Sequence, residues 1–294
     1  MNTRKLGTIE VSPIGMGCMG FSHGYGEIPA RDYSIQAIRR AHAFGCTFFD
    51  TAESYGPNLL PENRGHNERI VGEAVHDFRR QVVLPTKLHL DAAEVSAKGL
   101  ETVMREHLAA SLERLQTDYA DLYYLHRINP DIPVEDVAQV MGKLIRDGLI
   151  RGWGLSQVDV DTIQRAHGVT PLSAVQNIYS MLERGVEEAV IPYCLAHNIG
   201  LVPFSPIASG FLSGKVTARP DRKSLVVAIP GLDRFGQPGL RTMLHIFTPE
   251  GKMDHRFHRT DVRKVEPADE GLFRITFDHP INDDAVAGQT AVLF

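Results

Sequence analysis

The chain has 294 residues, of which 43% are hydrophobic, with a formal net charge of −5 and three cysteines. That length can bury a sizeable core as one large domain, and the slight acidity provides no basic field to gather nucleic acid. Cys18, Cys46 and Cys194 lack Cys-x-x-Cys spacing, so neither a disulfide framework nor a zinc knuckle is expected, and no run approaches the roughly 18 apolar residues of a membrane span. The reading is a soluble cytoplasmic protein with neither nucleic acid nor membrane as partner; nothing in the pattern speaks to oligomeric state.

Two short apolar runs around a polar turn, residues 5–12, predict a small hairpin. The Gly-rich stretch 14–20 follows as a strand end. Gly15, Gly17 and Gly20 lead into another loop, Phe21-Ser22-His23-Gly24, and not into a helix, which argues against a Rossmann-type dinucleotide fingerprint. A helix over about 32–44 carries Ile35, Ile38 and Ala41 at helical spacing and stops at Gly45. Cys46-Thr47-Phe48-Phe49 then reads as a buried strand that ends in Asp50-Thr51-Ala52-Glu53-Ser54-Tyr55-Gly56, with a turn at Gly56-Pro57-Asn58.

The alternation continues with helix 67–75, strand 82–87, a long helix 96–115, strand 120–126 and helix 134–147. Strand 150–156 with helix 160–167, strand 173–176 with helix 186–197, and strand 200–204 with a short helical candidate near Ser209 complete the regular part. Seven strands alternating with helices favour a (β/α)8 TIM barrel over an open doubly wound sheet.

Asp50, Lys87 and His126 each close a strand of this series, and Tyr55 stands just beyond Asp50. In a barrel, strand ends converge on one face, so an acid, an amine, a phenol and an imidazole are expected together there. A phenol with an ordinary pKa of about 10 yields its proton reluctantly at neutral pH, and a neighbouring ammonium is expected to lower that value. Asp50 would hold the ammonium in place. The group would then protonate a carbonyl oxygen as hydride reaches the carbon, with His126 hydrogen-bonding either a substrate oxygen or the phenol itself.

The motifs Asp50-Thr51-Ala52-Glu53-x-Tyr55-Gly56, Thr86-Lys87, Leu125-His126 and Gly154-Leu155-Ser156 resemble the aldo-keto reductase family in order and spacing, over about residues 4–215. The resemblance implies an NAD(P)H-dependent reductase of small-molecule aldehydes and ketones, with NADPH as cofactor and NADH as the alternative. It carries the catalytic tetrad over as Asp50, Tyr55, Lys87 and His126. It further implies that Ser156, Gln157 (where the family usually has Asn) and Gln176 hold the nicotinamide amide, and that the ring of Phe204 stacks on it. The run from Phe204 through Ser205, Pro206, Ile207, Ser209, Gly210 and Leu212 resembles the pyrophosphate loop.

Beyond Lys215 the resemblance fades. Ile229-Pro230-Gly231 arrives within fifteen residues, and residues 225–229 are the candidate eighth strand. Asp233 stands where the family places a basic residue for the adenosine 2′-phosphate, and an acid there would repel it, so either Arg234 beside it takes that role, NAD(H) is used, or the match at this point is accidental. The chain is therefore divided into a barrel over 1–235 and an atypical C-terminal segment over 236–294, with strand candidates at 244–248, 271–278 and 290–294 forming a small β unit. His255 and His258 are read as solvated basic residues, since no third ligand has useful spacing. Met19, Phe21, Tyr25 and Trp153 suit either an apolar pocket or the core. An active reductase is the first reading; a cofactor-binding regulatory protein of the same fold with negligible turnover, and a barrel left incompletely closed by its altered C-terminus, are the alternatives.

Overall fold

The computed structural model describes residues 2–23, 28–58 and 60–213, together with the backbone of four strands in the C-terminal segment. The hairpin is formed by β1 (Arg4–Leu6) and β2 (Ile9–Val11), paired antiparallel with Leu6 opposite Ile9. Its Leu6, Ile9 and Val11 pack with Phe48, Val83, Leu122, Tyr124 and Ala174, so the hairpin plugs the amino-terminal end of the strand ring.

Seven parallel strands follow. β3 (Met16–Gly17) pairs with β4 (Phe49–Asp50), and β5 (Pro85–Leu88), β6 (Leu122–Leu125), β7 (Trp153–Ser156), β8 (Ala174–Ile178) and β9 (Gly200–Phe204) form one continuous sheet in that order. The two groups are joined by the parallel bridge from Phe48 to Val83 and by Thr51 N–H donating to Pro85 O at 3.3 Å. Helices α1 (Arg31–Ala43), α2 (His66–Val75), α3 (Ala92–Lys98), α4 (Leu100–Leu115), α5 (Val134–Arg146), α6 (Val160–Val169) and α7 (Val190–Ala196) supply the outer layer. Strands β4 to β8 are buried along their whole length, as expected where helices cover the outside and side chains fill the interior. This is the TIM-barrel architecture expected from the alternation.

Interior filling is tight. A Cβ on Gly154 would sit 2.4 Å from Cε1 of Tyr124 and 2.6 Å from the Ala174 carbonyl oxygen, so only glycine leaves room for the tyrosine ring at that level. Trp153 points the other way, fully buried in the cluster with Val137, Met141, Leu144 and Ile163, with its indole N–H between the carbonyls of Thr170 and Pro171. It is a core residue and not part of a substrate pocket.

Two helices depart from expectation. The long helix read over 96–115 is broken into α3 and α4 at Gly99, whose φ of +85° lies in the region that favours glycine. The helix read over 186–197 is a 3-10 turn, Gly185–Glu187, followed by a seven-residue α7. Pro192, with no N–H, stands in the first turn of α7, where none is needed.

In the C-terminal segment β10 (Leu244–Phe247) pairs antiparallel with β13 (Thr290–Leu293), and β11 (Val262–Pro267) with β12 (Phe273–Phe277). Three of these coincide with the strand candidates. β11, Val-Arg-Lys-Val-Glu-Pro, escapes the reading because its charged positions break the alternation. The candidate eighth strand 225–229, Asp233, Arg234, Tyr25, His255 and His258 lie outside the described residues.

Candidate active site

Four side chains from β4, its following loop, β5 and β6 meet at the carboxyl end of the strands. Lys87 is fully buried, and its Nζ donates to Asp50 Oδ1, to the Thr51 carbonyl at 2.8 Å and to the Tyr55 hydroxyl at 3.2 Å. All three ammonium protons are thereby engaged. Tyr55 and His126 meet edge to face, ring centroids 5.6 Å apart. The Ser54 hydroxyl lies 3.3 Å from His126 Nδ1, and the ring of His89 lies against His126 at 4.4 Å. On the other side of Tyr55 the ring of His23 stands at 5.4 Å, again edge on.

The local chain path explains the convergence. Lys87 and Tyr124 share a register in the β5–β6 ladder, which puts Lys87 one residue before the strand end. His126 N–H donates to the Leu88 carbonyl at 2.9 Å, carrying the ladder one step past β6. The loop after β4 is held by Glu53 N–H to the Lys87 carbonyl, by Gly65 N–H to the Glu53 carbonyl and by Asn67 N–H to the Tyr55 carbonyl. Tyr55 is therefore tied both to β5 and to the start of α2.

Burial shapes the protonation states. The Tyr55 phenol is raised above its ordinary value: burial is the larger influence, and the opposing pull of Lys87 does not cancel it. The expected lowering of the phenol does not occur in this state, because the same enclosure that brings the ammonium close also penalises phenolate. Tyr55 consequently keeps its proton at neutral pH, as a proton donor must. Lys87 is raised, with burial opposing and the charge of Asp50 prevailing together with the phenol. His126 is held well below the usual imidazole range, by burial first and then by His89, Lys87 and Arg127, so it is neutral at pH 7.

The positions that the family resemblance implies for a nicotinamide border this cluster unevenly. Gln176 Nε2 donates to Asp50 Oδ2 at 2.9 Å, so Asp50 is gripped from both oxygens and Gln176 belongs to the same hydrogen-bonded network as Lys87 and Tyr55. Ser156 Oγ accepts from Arg127 Nη1 at 2.9 Å. Gln157 adopts a left-handed backbone (φ +56°), and its Oε1 accepts from Ile178 N–H at 3.1 Å, which gives that side chain a structural bond at the end of β8. Phe204 ends β9 with its side chain partly exposed. Ser205, Ala208 and Gly210 all have positive φ, and a Cβ at Gly210 would meet only open space. Three left-handed residues in six make a loop that curls sharply, and Pro206 and Ile207 are exposed on it. Ser209 and Leu212 lie in the 3-10 turn Ala208–Ser213. A polar pair beside Asp50, an aromatic ring at the next strand end and an open, glycine-containing loop are of the chemistry that would suit a nicotinamide cofactor.

Sequence reasoning missed Glu53, His107, Arg127 and Ser54. Glu53 lies inside the motif that drew attention to Asp50 and Tyr55, and its burial at 2% exposure is the signal that separates it from an ordinary loop acid. Among the described residues no group of three or more His, Cys, Asp and Glu could hold a metal ion. No helix among them is long and apolar enough to cross a membrane.

The sequence model of the Aldo/keto reductase family matches residues 13–227. A probable aldo-keto reductase 1 from Glycine max is 37% identical over 217 residues, covering 72% of this chain and 61% of that protein, so the chain spans about three fifths of that relative's length. Among solved structures, an aldo-keto reductase from Bacillus halodurans in its holo form superposes with a TM-score of 0.63 at 28% identity, covering 76% of this chain and 71% of that one. An aldo/keto reductase from Klebsiella pneumoniae in complex with NADP and acetate gives a TM-score of 0.60 at 31% identity, covering 71% and 69%.

Proposed function

The chain belongs to the aldo-keto reductase family, and from that premise we propose that it reduces the carbonyl group of a small aldehyde or ketone with NADPH, Tyr55 acting as the general acid. The observation that carries this reading is the Lys87 ammonium bonded at once to Asp50 and to the Tyr55 hydroxyl. NADPH, when bound, supplies the hydride. Tyr55 donates its proton to the carbonyl oxygen as negative charge builds there, and Lys87, 3.2 Å away, stabilises the phenolate that results. Asp50 keeps Lys87 charged and in place. His126, neutral and with Ser54 at its Nδ1, presents the other ring nitrogen to the substrate oxygen as a hydrogen-bond donor.

Ser156 and Gln176 would hold the nicotinamide amide, Gln157 would shape the strand end beside them, and Phe204 would stack on the ring. The loop 205–212 would take the pyrophosphate, and Arg234 would meet the adenosine 2′-phosphate. NADP in the complex of the Klebsiella pneumoniae relative supports the choice of NADPH over NADH. The decisive assay follows NADPH and NADH consumption against a panel of small aldehydes and ketones, with the alcohol product identified. Alcohol formed in step with NADPH loss supports the reading. Tight NADPH binding without turnover on any carbonyl would favour a cofactor-binding regulatory protein instead.

A further inference from the structure

Between Asp50 and Tyr55 the chain places a second acid whose carboxylate does not join the catalytic cluster. Glu53 is almost fully buried, and its side chain reaches into the helical layer: Oε1 accepts from the backbone N–H of His89 at 2.9 Å, and His107 Nδ1, on α4, lies 3.1 Å from Oε1 and 3.0 Å from Oε2. The backbone of the same residue is bonded on both sides, its N–H to the Lys87 carbonyl at 3.2 Å and its carbonyl to Gly65 N–H at 2.7 Å. One residue thus fastens the Tyr55 loop to β5, to the start of α2 and to α4. His89, whose N–H it holds, carries the ring that lies on His126.

His107 continues the line outward. It is 7% exposed, and its Nε2 stands 3.4 Å from Glu94 Oε2 on α3, the helix that follows β5; Glu94 in turn meets Lys98, whose Nζ also reaches Glu106. Signs alternate along this chain from the catalytic loop to the surface. We propose that Glu53 and His107 act as one positioning pair that keeps the Tyr55 loop in register with Lys87 and His126, and that the protonation of His107 makes that hold depend on pH. The proposal rests on the reductase reading for its effect on turnover and on geometry alone for its effect on the loop.

The groups facing His107 are Glu53 from the loop, Glu94 from α3 and Arg64 from the turn before α2. The bond to Glu53 dominates and raises the imidazole above its usual value; burial and Arg64 oppose it and Glu94 assists. Behind Glu53 stand the Tyr123 phenol on β6 and Glu68 on α2, the latter paired with Arg114. A histidine raised in the folded state contributes stability that is complete below its ordinary pKa of about 6.5 and is lost as pH rises through the folded value. The hold on the loop therefore weakens on the alkaline side.

Three variants test the pair: Glu53→Gln, which keeps an acceptor for His89 N–H but not the charge, His107→Asn, and both together. Turnover, NADPH affinity by fluorescence titration, and hydrogen–deuterium exchange of residues 51–58 are measured for each. Each single variant is expected to lower kcat about tenfold with NADPH Kd within about twofold, and the double variant to fall no lower than the worse single, since partners removed together lose one interaction and not two. Exchange at 51–58 should quicken in all three. Multiplying losses in the double variant, unchanged kcat, or a loss carried by NADPH affinity would overturn the proposal. A wild-type chain without carbonyl reduction would refute the reductase reading, and exchange would then decide the positioning claim by itself. If the variants do not fold, the wild-type chain serves: corrected for intrinsic base catalysis, exchange at 51–58 must quicken between pH 6 and 9, and a flat profile overturns the pair.

Discussion

Replacing Asp50 with asparagine is the most informative single perturbation, because it removes a charge without removing volume. In the native site Lys87 is fully enclosed and balanced by a carboxylate that is itself 12% exposed. The neutral amide would leave the ammonium with the Thr51 carbonyl and the Tyr55 hydroxyl, neither of which carries a compensating charge. Breaking one side of a buried ion pair costs about 3–5 kcal/mol, and for a domain of this size each kcal/mol lowers Tm by roughly 2–4 °C, so a fall of roughly 10 °C at pH 7 is expected.

The pH dependence gives the sign. In the wild type burial is the largest single influence on Lys87 and lowers it, but the charge and hydrogen bond of Asp50, joined by those of Tyr55, leave it raised, so its contribution is full below the ordinary lysine pKa of about 10.4 and fades only above it. In Asp50→Asn burial is the largest influence left, opposed only by Tyr55, and it lowers Lys87. The unfolded chain then binds the proton that the folded chain sheds, and stability must rise with pH across the window below about 10.4. Urea unfolding at pH 6.5, 8 and 9.5 reads this directly: the deficit of the variant should shrink as pH increases, while kcat stays depressed because a neutral Lys87 no longer stabilises phenolate. A deficit that is constant or grows with pH would refute the assignment of Asp50 and Lys87 as a charge pair.

Three further outcomes follow. Gly65 has φ +72°, and a Cβ there would stand 2.0 Å from Nε of Arg114, the partner of fully buried Glu68; Gly65→Ala should lower stability by about 3 kcal/mol or more by displacing that guanidinium, measured by urea unfolding, and a loss under about 1 kcal/mol would contradict the packing. Among the described residues His23, His66, His126 and His167 are lowered, chiefly by burial, while His107 is raised. Their stabilisation is present above about 6.5 and lost below it, so the urea midpoint should drop between pH 6.5 and 5; a midpoint that climbs toward pH 5 would show that they are not held neutral. In Tyr55→Phe, kcat should fall about 10²–10⁴-fold with NADPH Kd little changed, because the ring and its edge contacts to His23 and His126 remain; a parallel loss of affinity would mean that the hydroxyl holds the cofactor.

How much of this was legible in the sequence depended on periodicity. The parallel strands and their helices announce themselves through apolar runs punctuated by Gly and Pro, and the strand-end positions of Asp50, Lys87 and His126 follow from counting along those runs. Gly99 was not legible as a break: the helical pattern runs through it, and only the backbone reveals its positive φ. The direction of the Tyr55 shift was missed because burial is a property of the folded surroundings, whereas the attraction of Lys87 can be inferred from residue types alone. Gln157 shows the same limit, since the reach of an amide to Ile178 N–H depends on a left-handed backbone that residue identity does not announce.

In the proposed reaction Tyr55, tuned by Lys87, gives a proton to a carbonyl that receives hydride from NADPH. Single-turnover reaction with NADPH carrying deuterium at both C4 positions of the dihydronicotinamide is the sharpest test. The expected product is an alcohol carrying one deuterium on the former carbonyl carbon, formed by the wild-type chain and at least about 100-fold more slowly by Tyr55→Phe. Alcohol without deuterium, or equal rates in the two proteins, would contradict it.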